Sequence, residues 1–150
     1  MADISAANAV VTLTIPGIFN QPVTLAGYSA ENVFDTEEID AAEILMGVDG
    51  RQSGGFVNVP IPQRYHLQAD SPSNIVFDTW FQFEKANQAK FVCQGLILLQ
   101  SIGTKWTMNN GLLRRTKPLP DAEKILRPRT FTISWESSIP SASPSLIPAN

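Results

Sequence analysis

Alternating apolar and polar residues predict a strand near each end of the chain. The segment Val10–Ile15 reads VVTLTI, and Thr130–Glu136 reads TFTISWE. Because successive side chains of a strand point to opposite faces, this period-two alternation indicates strands with one buried face. In the second segment we expect Phe131, Ile133 and Trp135 to point into the core.

Shorter apolar segments between turn residues predict the rest of the sheet. Val23–Ala26 follows a predicted turn at Phe19–Gln21 and would pair with Val10–Ile15 as a hairpin. The segment Lys90–Trp106 is apolar on both faces at its centre, which indicates a long strand that is buried on both sides or flanked by a neighbouring subunit. Asn109–Gly111 reads NNG, a hairpin signal. The other predicted strands lie within Ser29–Asp35, Glu43–Gly47, Phe56–Asp70 and Leu112–Lys117.

One helix is predicted after residue 70. Ser71 can cap it, and Pro72 suits its first turn because proline lacks the N–H that would be unpaired there. An apolar stripe at helical spacing follows up to Asn87, and its aromatic side chains are expected to cover one face of the sheet. The stripe consists of Ile75, Val76, Thr79, Trp80 and Phe83, widened by Phe77 and Phe81.

Glycine and proline predict three irregular segments. Asp49-Gly50 supplies the positive φ of a tight turn, which Gln52–Gly55 extends into a mobile loop. Asp121–Arg129 follows a Pro-Leu-Pro break and is expected to be a loop with one helical turn. Ile139–Asn150 is rich in proline and serine and is expected to be an irregular, mobile tail.

Together these elements predict one mostly β domain at residues 1–137 and a Pro- and Ser-rich tail at residues 138–150. The expected fold class is an antiparallel β-sandwich or barrel with one flanking α-helix. A length of 150 residues is usual for a single domain, and 43% hydrophobic residues exclude a disordered chain. Only 17% of the residues are charged, which suggests that partners cover much of the surface. No basic residue precedes Arg51, so no signal for export is expected.

Few residues offer catalytic or ligand chemistry. The single histidine, His66, lies on the polar side of a predicted strand without a nucleophile motif, so a surface hydrogen-bonding role is expected. The single cysteine, Cys93, lies in an apolar run and is expected to be buried and inert. One Cys and one His cannot form a structural zinc site, and the carboxylates between Glu37 and Glu43 match no EF-hand spacing. We therefore predict a protein that is not an enzyme, without catalytic, cofactor or metal residues and without a small-molecule substrate.

Charge is divided between two parts of the chain. Seven acidic residues and no basic residue lie between Glu31 and Asp49, whereas seven basic and two acidic residues lie between Lys105 and Arg129. The two segments could pair within one subunit. Alternatively they meet across subunits, and because the two patches differ, repeated contacts would give closed rings or stacked tubes. The interface candidates are Glu37, Glu38, Asp40, Glu43, Arg114, Arg115 and Lys117, with Leu98 of the long apolar strand.

Several short sequences occur in a characteristic order. MGVDGRQSGG follows the N-terminal strand pair, SPSN opens the helix, FVCQGLILLQSIGTKW forms the long strand, and MNNG and RTFTISWE complete the order. In this arrangement, from Val10 to Ser137, the chain resembles the tail-tube family of contractile phages and, more distantly, the type VI secretion tube protein.

The resemblance implies a hexameric ring in which each subunit gives strands to an inner β-barrel around a DNA-wide channel. Rings would stack head to tail inside a contractile sheath, with the helix outside the barrel. The implied partners are copies of the chain, sheath and baseplate or hub proteins, and DNA that passes without sequence-specific binding. The implied location is the virion tail, assembled in the host cytoplasm. The stacking-loop candidates are Gly47, Asp49, Gly50, Arg51, Gly54 and Gly55.

Two other functions stay open at this point. The chain could form a tube-like ring that is used once, as an initiator or adaptor between the baseplate hub and the tube. It could also be a monomeric β-barrel module that binds a sugar or small ligand in a concave aromatic pocket. The proline-rich tail departs from the family pattern and could contact a baseplate or sheath protein.

Overall fold

A computed structural model describes residues 9–29 and 32–142, and in them it shows ten β-strands and one α-helix. The strands are β1 (Ala9–Ile15), β2 (Phe19–Thr24), β3 (Phe34–Thr36), β4 (Ala42–Met46), β5 (Gln52–Phe56), β6 (Ile61–Leu67), β7 (Cys93–Leu99), β8 (Thr104–Arg115), β9 (Arg129–Trp135) and β10 (Ser137–Ala142). The helix, α1 (Asn74–Asn87), lies between β6 and β7. The predicted fold class, mostly antiparallel β with one helix, is confirmed.

The long strand β8 joins two sheets. Eight strands form an antiparallel sheet in the order β2-β1-β7-β8-β9-β6-β3, with β10 on β8 as a branch. The first half of β8 pairs with β7 and β10, and its second half pairs with β9. Because β8 changes partners half-way, the strands on its two sides form the two layers of a sandwich. The predicted opening hairpin, β1 with β2, is confirmed.

Asn109–Gly111, predicted as a hairpin turn, instead lies inside β8, so that prediction was wrong. Asn110 has a φ of 50°, a left-handed conformation that Asn adopts more easily than most residues. The pairing register of β8 shifts on both sides of this point. The left-handed conformation that often forms a hairpin turn therefore bends a continuous strand here, as in a β-bulge. Within the predicted returning strand Leu112–Lys117, residues 112–115 continue β8 and the last two residues lie beyond its end.

The predicted long strand Lys90–Trp106 is divided in two. The chain reverses between β7 and β8 through a 3₁₀ turn at Gln100–Ile102. Gly103, which follows this turn, has a φ of 67°. β7 lies between β1 and β8, so both of its backbone edges are paired within the subunit. This pairing excludes strand pairing of β7 with a neighbour. The side chains of β7 are buried on one face only, since Cys93 and Ile97 are buried but Leu96 is 40% exposed. In the described part of the eight-stranded sheet, the open edges belong to β2, β3 and β10.

Three segments predicted to be irregular are strands. Phe19–Gln21 begins β2, and the turn lies before it at residues 16–18. Gln52–Gly55, predicted as a loop, belongs to β5 and pairs with β4. Ile139–Ala142, predicted as part of the tail, belongs to β10 and pairs with β8. Residues 143–150 lie outside the described chain, so the division into a domain and a tail stays a prediction.

Two further segments differ in detail. Asp121–Arg129 contains no helical turn; an isolated bridge joins Ala122 to Leu126 instead. The strand predicted within Ser29–Asp35 is the short β3, which pairs with β6.

The helix covers the sheet with its aromatic stripe, as predicted. Phe77 and Trp80 are fully buried, and the Phe77 ring stacks on Phe131 with centroids 4.3 Å apart. Ile75 and Phe83, also assigned to the stripe, are exposed. The helix begins at Asn74, after the predicted start at Ser71–Pro72, because residues 71–73 form a turn in which the Asn74 N–H donates to the Ser71 carbonyl. Among the described residues, no helix has the length and apolar character needed to cross a membrane.

Trp135 lies fully buried where the two sheets meet. Its Nε1–H donates to Oε1 of the buried Gln63 at 3.1 Å. A Cβ added to either Gly95 or Gly111 would lie 2.6 Å from the Trp135 ring, so the absence of side chains at these two positions makes room for the indole.

Gly111→Ala is therefore expected to lower the free energy of unfolding by about 1–3 kcal/mol, because overpacking forces the indole or the strand to move. Gly55→Ala is the matched control, since an added Cβ there meets nothing within 4 Å, and it is expected to change stability by less than about 0.5 kcal/mol. Chemical denaturation followed by tryptophan fluorescence measures both. Equal losses in the two variants would contradict the role assigned to Gly111.

Candidate assembly surfaces

A hairpin projects from the main sheet between β3 and β6. We call residues 37–56 the arm; its strands β4 and β5 pair only with each other. The predicted tight turn is confirmed: the Gly47 N–H donates to the Arg51 carbonyl at 2.7 Å, and Gly50 has a φ of 85°. Asp49 Oδ1 accepts from the Arg51 N–H at 3.1 Å and fixes the tip.

The arm exposes apolar side chains that a free subunit would normally bury. A two-stranded hairpin is marginally stable alone in water, and contiguous exposed apolar surface marks interaction sites. The exposed apolar side chains of the arm are Ile39, Ile44, Leu45, Met46, Val48 and Phe56. Leu45 is 67% exposed and Phe56 82% exposed, although both lie in strands. The arm therefore has the properties of a segment that another surface covers.

Charged side chains attach the root of the arm to β6. Arg64 lies 2.6 Å from an Asp35 oxygen and 3.0 Å from a Glu37 oxygen. His66 Nε2 lies 2.7 Å from the other Asp35 oxygen, and His66 Nδ1 lies 3.1 Å from the Thr130 hydroxyl. Glu37, predicted at a subunit interface, thus has an ion-pair partner within its own subunit. The hydrogen-bonding role predicted for His66 is confirmed, with a carboxylate partner that the sequence did not reveal.

The environment of Asp35 changes its acidity. Burial alone would raise the pKa of this carboxyl group, but hydrogen bonds from His66 and Arg64 outweigh burial and lower the pKa below its usual value. The carboxylate thus holds the three-residue strand β3, and with it the start of the arm, against β6.

A second exposed segment lies at the other end of the sheet. We call residues 117–129 the basic loop. Its two ends meet at Arg129, a buried side chain whose Nε donates to the Lys117 carbonyl at 3.0 Å. The same guanidinium donates to both Asp78 carboxylate oxygens, at 2.6 and 3.1 Å, and lies 4.9 Å from the Phe131 ring centroid. These contacts tie the loop to α1.

Ion pairs also order the basic loop along its length. Lys117 lies 3.0 Å from Asp121, and Arg127 lies 3.0 Å from Glu123. Three apolar side chains of the loop remain exposed: Leu119, Ile125 and Leu126. A groove of about 690 Å³ runs between this loop and the β6–α1 connection. It is lined by Ser29, Gln68, Ala69, Asp70, Lys124, Ile125, Leu126, Arg127 and Pro128.

The strand register places the arm and the basic loop at opposite ends of the sheet. β6 and β9 pair from Ile61 opposite Trp135 to Leu67 opposite Arg129, a distance of about 20 Å at 3.3 Å per residue. The arm is rooted at the Ile61 end and the basic loop at the Leu67 end. β8 runs antiparallel to β9 and ends at Arg115, which pairs with Thr132 at the middle of β9.

The predicted acidic and basic patches are therefore separated within one subunit. Among the described residues, three acids of the arm form no ion pair: Glu38, Asp40 and Glu43. Likewise Arg114, Arg115 and Lys124 form none in the described chain. Lys124 lies in the basic loop, whereas Arg115 pairs with Thr132 at the middle of β9. Lys117, predicted as an interface residue, pairs with Asp121 instead. Among the described residues, the structure does not pair the predicted acids with the predicted bases, but only the basic loop lies at the far end, since Arg114 and Arg115 are level with the middle of β6 and β9.

The remaining reactive side chain considered from the sequence is Cys93, and possible metal ligands are the last candidates. Cys93 is fully buried, as predicted, and burial raises the pKa of its thiol to about 12. In residues 9–29 and 32–142, no three His, Cys, Asp or Glu side chains come together in a way that could hold a metal ion.

Comparison with known protein families shows to which family this chain belongs. A family model described as tail fiber protein gp32 matches residues 2–139. The chain belongs to the tail fiber protein gp32 family. The match to the gp32 family includes the arm, the basic loop and the first three residues of β10. No curated protein matches the chain.

Solved structures with the fold of this gp32-family protein come from contractile injection systems. A chain of the anti-feeding prophage baseplate is 14% identical, with 96% of this chain and 99% of that chain covered and a TM-score of 0.59. A chain of the PVC sheath–tube complex, an extracellular contractile injection system in its extended state, is 11% identical, with coverages of 93% and 92% and a TM-score of 0.61. A chain of the anti-feeding prophage cap is 11% identical, with coverages of 95% and 93% and a TM-score of 0.59. The resemblance to tube-type proteins is confirmed at the level of the fold.

The lowered pKa of Asp35 predicts a pH dependence of stability. Because the folded pKa lies below the ordinary value of about 3.9, the contribution of this carboxylate is complete above about pH 5 and is lost as the pH falls through the folded pKa. Asp35→Asn is expected to flatten the decline of the free energy of unfolding between about pH 5 and pH 2. The control Glu38→Gln, at a position without an ion pair in the described structure, should keep the wild-type slope. An unchanged slope in Asp35→Asn would contradict the role of this carboxylate.

Proposed function

We propose that this gp32-family protein is a non-enzymatic structural subunit that assembles with copies of itself into hexameric rings. The rings stack into the tail tube, the conduit for DNA ejection inside a contractile sheath. The single observation that carries this proposal is the arm, a hairpin with exposed apolar side chains that no strand of the described subunit covers. In an assembly, a neighbouring copy would cover these side chains.

The related folds support the same class of function. Chains of this fold occur in structures described as a baseplate, a sheath–tube complex and a tube-terminating cap. The partners we propose are therefore further copies of the chain and sheath and baseplate proteins, with DNA passing without sequence-specific contacts. The proposed location is the tail of the particle, after assembly in the host cytoplasm.

Lateral contacts within a ring require open strand edges. β7 cannot provide them, because β1 and β8 already flank it. We assign them to β2 and β10, whose outer edges are open in the described sheet. Open edges invite pairing with another chain, and Pro22 in β2 and Pro140 in β10 would limit the pairing to certain registers. Leu98 keeps its proposed interface role only through its half-exposed side chain.

A ring that is used once, as an adaptor between the baseplate hub and the tube, is the second candidate. The same fold occurs in a baseplate chain and in a cap chain, at TM-scores equal to each other and close to that of the sheath–tube chain. A single ring would have a fixed small stoichiometry, whereas a tube subunit would form polymers of variable length.

Electron microscopy of the purified protein tests this proposal. We expect rings and short stacks from the wild-type chain. Leu45→Lys should abolish stacks and leave a folded subunit, because it places a charge on the apolar surface that would be covered on assembly. The control Gln82→Lys adds the same charge at an exposed position of α1 and should assemble as the wild type does.

The outcomes separate the two candidates. Single rings that never lengthen would favour the adaptor. A wild-type protein that remains monomeric at high concentration by size-exclusion chromatography would contradict assembly altogether, and would favour a monomeric binding module.

A further inference from the structure

We infer that the buried side chain of Gln63 couples the position of β3, where the arm begins, to the position of β10. Thr36, the last residue of β3, lies directly opposite Gln63 in the strand pair and immediately precedes the arm. The coupling is a property of the free subunit. Its consequence for assembly rests on the proposed function, in which β10 offers an open edge to a neighbour.

Hydrogen bonds at both ends fix the orientation of the Gln63 amide. Its Oε1 accepts from Trp135 Nε1–H at 3.1 Å and from the Tyr65 hydroxyl. Its Nε2–H donates to the Thr36 hydroxyl at 3.0 Å. An indole N–H can only donate, so the carbonyl end of the amide faces Trp135 and the NH₂ end faces Thr36. The amide therefore bridges Trp135 and Thr36 in one orientation only.

The two ends of this bridge differ in exposure. Gln63, Tyr65 and Trp135 are buried, whereas Thr36 is exposed. Loss of a bond at the buried end would leave a polar group unsatisfied, which is costly. At the exposed end water can replace the Thr36 hydroxyl when β3 moves. Such a movement changes the strength of the hydrogen bond to Trp135, because hydrogen bonds that share one amide polarise each other.

A cavity beside Gln63 gives this movement room. It measures about 300 Å³ and is lined by Thr36 and Gln63 from one layer and by Ser138 of β10 from the other. Close-packed interiors resist displacement, so an element that borders a cavity moves more easily than one packed on all sides.

The buried end of the bridge leads directly to β10. Trp135 packs against two glycines of β7 and β8 so closely that the ring cannot shift without moving these strands. The N–H of the next residue, Glu136, donates to the Asn109 carbonyl of β8 at 3.0 Å. Asn109 Nδ2 also donates to the hydroxyl of Ser137, the first residue of β10, at 2.9 Å. The position of Trp135 therefore determines how β10 begins on β8.

The coupling makes two separate parts of the subunit depend on each other. A contact that holds β3 in place keeps the Thr36–Gln63 bond and, through Trp135, steadies β10. Because coupling free energies are reciprocal, strand pairing at β10 steadies β3 to the same extent. In the proposed assembly, contacts near the arm and lateral pairing at β10 would then strengthen each other.

Hydrogen exchange followed by mass spectrometry on the free subunit tests the coupling. Thr36→Val removes the hydroxyl and keeps the shape of the side chain. Residues 34–37, which include the Glu37 N–H bonded to the Pro62 carbonyl, are expected to exchange about fivefold faster, as for the loss of one typical hydrogen bond. Residues 137–142 are expected to exchange at least about twofold faster, because groups that share a hydrogen-bond network are coupled. Thr36→Ser keeps the hydroxyl and should restore wild-type exchange in both segments.

Two controls separate transmission through Gln63 from general loosening. Thr12→Val makes the same substitution at a hydroxyl that lies 3.5 Å from the Thr24 hydroxyl, and it should leave both segments unchanged. Trp135→Phe removes the indole N–H and keeps an aromatic ring. In this background Thr36→Val should still speed exchange at residues 34–37 but no longer at residues 137–142. If Trp135→Phe does not fold, the two Thr36 variants and Thr12→Val decide the question alone.

Three results would overturn the inference: faster exchange in Thr36→Val that is confined to residues 34–37, the same β10 response in Thr12→Val, or a β10 response to Thr36→Val that persists in Trp135→Phe. These measurements use the free subunit, so they are independent of ring formation. A wild type that never assembles would overturn the proposed function and leave the coupling intact.

Discussion

The architecture depends on how Trp135 fills the junction of the two sheets. β8 belongs to both layers, and Gly95 and Gly111 leave the space that the indole occupies. A bulky side chain at either glycine would push the layers apart, because packed interiors have no spare volume. From this junction β6 and β9 pair continuously, with one end at the arm and the other at Arg129. The subunit therefore has two different ends, with the arm at one and Arg129 at the other, because of the way its core is packed.

Two buried charges then fasten the helix to this core. Arg129 binds Asp78 in the second turn of α1. Glu84, near the C-terminal end of the helix, accepts hydrogen bonds from Trp80 Nε1–H at 3.1 Å and from the Phe91 N–H at 3.0 Å. Lys90 supplies the counter-charge to Glu84, also at 3.0 Å. Buried charges are costly unless they are paired in this way, so these contacts specify one position of the helix and of the basic loop.

The sequence predicted those elements whose local pattern agrees with their packing. Strand β9 and its three inward side chains were predictable because alternation and burial coincide there. The NNG sequence at Asn109–Gly111 was misleading, since local backbone preference cannot distinguish a turn from a bulge in a strand that is paired on both sides. Glycines in β5 likewise suggested a loop, although β4 pairs with them.

The interface residues were only partly predictable for the same reason. The sequence showed that acids and bases are segregated, but not which of them are neutralised within the subunit. Glu37 pairs with Arg64 and Lys117 pairs with Asp121, and neither ion pair could be established without the fold. Lys124 was not among the candidates, because its position beside a groove depends on Arg129 drawing the ends of the basic loop together.

Weak contacts are sufficient for a subunit of this kind. An exposed ion pair contributes about 0–1 kcal/mol and is screened over about 8 Å at physiological ionic strength, so no single charge pair could hold two copies together. In the proposed ring each contact would be repeated by every subunit, and a ring would detach only when all of its contacts broke together. Multivalency would thus convert marginal contacts into a stable stack without new interactions.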